Sequence, residues 1–214
     1  MRKNKISLNL RNMIEQYIKN NIYNYILVIL AFLIGILAGI LIINNKKKKK
    51  KEIICNYVVS FFNKFYSTND LDQNKLLVYA MLNNFILISI LYIAGTTIIG
   101  MPIIISVIIY RGFCLSYTIS AITLSIGFNK SVLFCIIALF LPNLLFIPAI
   151  LTIAVSSLKI YKSIIYDNKK DIIKKGLISH LIITIIMYIV LSFASVIESN
   201  FSISILRLVE PYIM

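Results

Sequence analysis

The sequence predicts an all-α fold, a polytopic integral membrane helical bundle of about five transmembrane helices, and three observations carry that reading. Hydrophobic residues make up 59% of the 214 residues, with a mean hydropathy of +0.89, where ordinary soluble domains hold roughly 45 to 50%. They gather into runs with room for five crossings at about 20 residues each. None of the 8 Asp and Glu residues falls inside those runs: Glu198 sits just past the last, and the others lie in loops or termini. The whole chain, 1–214, therefore reads as one membrane domain. Heavy use of Ile, Asn, Lys and Tyr without any Trp resembles the codon bias of an AT-rich genome, so lysine runs partly reflect composition.

The first span is 22–43, "IYNYILVILAFLIGILAGILII", behind a basic head holding Arg2, Lys3, Lys5, Arg11 and Lys19. Its core is longer than that of a cleavable signal peptide, and no small-residue cleavage site ends it. Within it Gly35 and Gly39 have the Gly-x-x-x-Gly spacing that lets two helices approach closely, in the chain or with a partner. The tract from Phe85 to Leu158 is far too long for one crossing at 1.5 Å per residue. Two polar interruptions, "YRG" at 110–112 and "GFNKS" at 127–131, divide it into spans of 85–109, 113–126 and 132–158. The last run, 176–197, is the fifth span.

Two loops separate these spans. Loop 44–84 opens with six lysines, Lys46, Lys47, Lys48, Lys49, Lys50 and Lys51. Next comes "EIICNYVVSFFNKFY", where Ile54, Val58, Phe61, Phe62 and Phe65 recur at helical spacing. That is an amphipathic helix for a membrane surface or a partner. Loop 159–175 is also basic and amphipathic. With five spans, Lys and Arg number about 12 on the N-terminal face and about 10 on the other, so charge bias alone leaves the orientation open. The hexalysine reads either as a solvated low-complexity linker or as a site for anionic headgroups.

The central tract carries a family likeness. "AGTTIIGMPIIISVIIYRGFCLSYTISAI" (94–122) resembles the stage II sporulation protein M family in its Gly-x-x-Ile-Ile-Gly-x-Pro run and its basic residue followed by Gly-Phe. The matching positions are Gly100, Pro102, Arg111, Gly112 and Phe113; "LPNLLFIPAI" (141–150) is similar to the family's second proline pair, with Pro142, Asn143 and Pro148. The hexalysine departs from the pattern. The resemblance implies five spans with the N-terminus cytoplasmic, loop 44–84 extracytoplasmic and loop 159–175 cytoplasmic. It also implies a scaffold for forespore engulfment during endospore formation, in the septal and engulfing membrane of the mother cell. There it would recruit and retain the peptidoglycan-degrading stage II sporulation proteins P and D.

Read physically, glycine and proline loosen helices in lipid, and the freed backbone groups need protein around them. Gly95, Gly100, Pro102, Pro142 and Pro148 are thus expected to face protein, and Asn143 to make an interhelical hydrogen bond. Val58, Phe61, Phe62 and Phe65, with the Gly35/Gly39 face, are the expected partner contacts. The partners expected are membrane lipids, the two sporulation proteins and a possible homo-oligomer, with no nucleic acid. The charge of +14 flanks spans, as in lipid binding. His180 is the lone histidine and is expected near an interface; Cys55, Cys114 and Cys135 lack Cys-x-x-Cys spacing. No catalytic set, metal site, phosphate loop or cofactor motif is recognisable, so no enzyme and no cofactor are expected. The alternative is a permease-like membrane subunit of a transporter, built on broken helices at Pro102 and Pro142 to Pro148. The lack of a buried ionisable residue at membrane depth counts against it.

Overall fold

In lipid an Ile-rich chain becomes helical despite mediocre propensity, because every backbone group must be satisfied inside its own segment. The computed structural model describes residues 15–67, 73–166 and 170–202, apart from the side chains of 65–67, 137, 141, 201 and 202. Helix α1 is Ile22–Asn44, α2 Lys48–Ser67, α3 Gln73–Thr96 and α4 Gly100–Ile126. A short α5, Phe128–Phe134, leads through a π-helical stretch, Cys135–Phe140, into α6, Leu141–Tyr166. Helix α7, Lys170–Ile197, ends in a second π turn, Glu198–Ser202. Five stretches are long and apolar enough to span a bilayer: α1, α3, α4, Ala138–Tyr166 and Lys170–Asn200.

Several boundaries differ from the sequence reading. The second span is Gln73–Thr96 instead of 85–109, so the end of the long loop is already membrane helix. The chain breaks at 97–99 and resumes with Pro102 in the first turn of α4, where a missing N–H costs nothing. "YRG" is no turn: Arg111 and Gly112 lie in mid-helix. Between α4 and α5 the turn is Gly127, the one described residue with a positive φ, at 84°. Loop 159–175 is largely helix, as the end of α6 and the start of α7.

The core joins Ile104 and Ile108 of α4, Leu91 of α3, Ile150 and Ile153 of α6 and Leu191 of α7, all fully enclosed. Around it Leu33, Leu37, Ile93 and Ile189 point outward, an apolar belt suited to lipid. Helices α1 and α4 make the tightest seam. A Cβ on Gly35 would land on the Ile109 carbonyl, and one on Gly39 on the Ser116 hydroxyl; from the other side, Gly112 receives the Phe32 carbonyl. Three glycines thus interlock two backbones, and Gly112 is there for packing. Gly95 rests against the Ser157 Cα, whose hydroxyl donates to the Leu91 carbonyl at 2.9 Å.

Candidate functional site: a polar cavity within the bundle

Proline at 142 cannot donate to the preceding turn, and its ring crowds the carbonyl four residues back. Widening that turn into the π stretch Cys135–Phe140 relieves the crowding. Asn143 then donates its side-chain N–H to the Leu139 carbonyl at 2.7 Å. The expected interhelical bond of Asn143 is corrected accordingly: its partner is its own helix.

Beside this irregular turn lies a cavity of about 330 Å³. The two motif segments meet there, Arg111 from α4 with Pro142, Asn143 and Phe146 from α6. Arg111 is about 17 Å along α4 from Gly100, well inside the span. Its guanidinium lies 5.0 Å over the Phe146 ring, a cation–π contact that gains from exclusion of water. Its Nε is buried without a hydrogen-bond partner.

Helices α3 and α7 complete the cavity with Asn84, Ser195 and Glu198. Asn84 donates to the Ser195 hydroxyl at 2.9 Å, and Ser195 in turn to the Leu191 carbonyl at 3.1 Å. Glu198, exposed at the end of the bundle, interacts electrostatically with Arg111. The expectation that no ionisable residue lies at membrane depth is therefore overturned, by an arginine that had been read as a turn.

Other expected sites are placed as follows. Gly35 and Gly39 are occupied by α4, so that face is closed to a partner's span, which corrects the expectation. Pro102 and Pro148 are exposed instead of facing protein, whereas Gly95, Gly100 and Pro142 are buried. Phe113 packs its ring on Tyr117 at 5.5 Å. On α2, Phe62 is buried edge-on against Phe134 at 5.1 Å and joins Ile122 and Ala138, with Val58 packed alongside. Phe62 and Val58 thus hold the arm to its own bundle, which corrects their assignment as partner contacts, while Phe61 is 56% exposed with Ile53 and Tyr57 beside it. The Phe65 side chain lies outside the described residues. Lys46 donates to the Tyr117 hydroxyl at 2.9 Å, and Lys48 to Lys51 form the first turn of α2.

His180 is buried within the bundle: its ring stacks on Tyr92 at 5.0 Å, and Nδ1 is 2.8 Å from the Ser156 hydroxyl. The sequence reading missed Asn84, Ser195 and Ser156.

A family model described as stage II sporulation protein M matches residues 28–203, and the chain belongs to that family. No curated protein and no solved structure matches it. It is a sporulation-related, multi-pass membrane protein.

Proposed function

We propose that this chain is a non-enzymatic membrane scaffold for forespore engulfment, recruiting and retaining the stage II sporulation proteins P and D at the septal membrane of the mother cell. The N-terminus is cytoplasmic in this reading, and residues 45–72 lie outside. The supporting observation is the seating of α2: Val58 and Phe62 fix it to the bundle, and beside them Ile53, Tyr57 and Phe61 stay exposed along a groove that α2 forms with Tyr117, Thr118 and Ala121 of α4. An apolar face held at the membrane edge suits docking of another protein. The test is to delete the gene in its native host, induce sporulation, and image the septal membranes with a fluorescently tagged stage II sporulation protein P. Arrested membrane migration with a dispersed hydrolase supports the scaffold; normal engulfment with the hydrolase in place sinks it.

The cavity around Arg111 favours a second reading, a permease-like subunit, because buried ionisable groups mark transport pathways. Arg111→Gln separates the two. Under the scaffold reading, protein made at normal level retains the hydrolase and supports engulfment. Under the permease reading, the hydrolase stays in place while sporulation fails.

A further inference from the structure

A second polar cavity, of about 520 Å³, lies between the ends of α6 and α7 and the helical residues 15–20. It is at the opposite end of the bundle from α2. The break at 97–99 marks this end, and Gly100 beside it comes against Tyr161 of α6. Lys159, Lys162, Tyr166, Ile172 and Lys175, which line the cavity, therefore sit where the spans leave the hydrocarbon, at headgroup level.

Three cations converge there, Lys159, Lys162 and Lys175, and no carboxylate is among the described lining residues. Lys159 is held 5.2 Å over the Tyr17 ring, and Lys162 donates to the Asn24 side-chain oxygen at 2.6 Å. Both partners are neutral, so among the described residues Lys159 and Lys162 are positioned without a counter-charge. Deeper in, His180 is only 1% exposed, lines the cavity, and has an Nε2 without a hydrogen-bond partner. Nδ1 is engaged by the Ser156 hydroxyl, so Nε2 is the ring nitrogen left for a ligand. The Tyr17 hydroxyl is also buried, with Ser156 as its neighbour; burial raises its pKa, so it keeps its proton at neutral pH. Ile160, Ile172 and Ile183 supply the remaining apolar wall.

Fixed cations, buried polar groups and an apolar wall at the bilayer interface match a phosphate that carries acyl chains. We propose that this cavity binds the phosphate headgroup of an anionic membrane lipid. The assignment rests on the five-span fold and is independent of the scaffold reading.

The test uses the full chain in nanodiscs of phosphatidylcholine alone or of equal parts phosphatidylcholine and phosphatidylglycerol, with thermal unfolding as readout. Inorganic phosphate added to the phosphatidylcholine discs is the second arm. Phosphatidylglycerol is expected to raise the midpoint, and inorganic phosphate is not. Titrating phosphatidylglycerol in detergent should show roughly fivefold weaker apparent affinity for Lys175→Gln, a side chain with no described partner to lose. Its midpoint in phosphatidylcholine should be unchanged. Lys50→Gln, on α2, is the off-site control and should bind as the natural chain does. Equal weakening by Lys50→Gln, or none by Lys175→Gln, overturns the site in favour of diffuse basic attraction. Stabilisation by inorganic phosphate alone overturns the lipid and assigns the cavity to a free anion.

Discussion

Helix α4 is gripped on two sides, and the two grips differ in kind. Toward α1 the contact is backbone on backbone, with Gly35, Gly39 and Gly112 leaving no room for a Cβ. Toward α2 it is side chain on side chain, a small cluster of Phe62, Ile122, Phe134 and Ala138. Backbone contacts cannot yield by changing rotamer, whereas a small apolar cluster can detach and repack. The first is therefore a fixed joint of the bundle, and the second a seat from which an arm can be lifted.

The strongest way to break that contrast is to fill the joint. Gly112→Leu should cost about 3 kcal/mol or more, since overpacking already costs roughly 1–3 kcal/mol where neighbours can move. Thermal unfolding in detergent reads it, and an unchanged midpoint would remove the claim of a rigid seam. Phe62→Ala should cost the arm about 3 kcal/mol of docking while leaving the span bundle intact. Limited proteolysis should then cut within 45–72 at an unaltered bundle midpoint; a fall in that midpoint would mean the arm is part of the core.

Finer tests follow. Replacing Lys48 to Lys51 by serine removes four positive charges from the first turn of α2, where they oppose the helix dipole at about 0.3–1 kcal/mol each at low salt. The arm should become more resistant to protease, most clearly at low ionic strength; greater sensitivity would show the lysines to be bound to something. Asn84→Leu should cost only about 0.6 kcal/mol, the usual worth of an interhelical bond in lipid. Phe61→Ala should leave stability within about 0.5 kcal/mol yet weaken retention of the tagged hydrolase. Intact retention would move the docking surface elsewhere.

Much of this was legible because length and hydropathy leave few options in lipid. Five spans and the Gly35/Gly39 spacing come straight from the residues. The misplacement of Arg111 came from treating a charge beside glycine as a turn. Its contact with Phe146 and its electrostatic interaction with Glu198, from helices far along the chain, have no local signature. Pro102 was the better punctuation, since a proline opens a helix more readily than an arginine closes one. Likewise the two asparagines at 83 and 84 looked like a loop end, although no glycine or proline interrupts 73–94. His180 was unreadable for the same reason as Arg111: its partners Ser156 and Tyr92 are set by packing.

The π stretch before Pro142 has a counterpart further along α6. Pro148 lies inside the helix and leaves the Leu144 carbonyl without its usual donor. Between these two weak points, Cys135–Phe140 and Pro148, lie Pro142, Asn143 and Phe146, the residues that α6 gives to the Arg111 cavity. Helices bend where the ladder of backbone bonds is interrupted. The wall facing the buried arginine is thus a short rigid panel hung on two compliant seams, and swinging it would reshape the cavity while the glycine joint on the far side of α4 stays still.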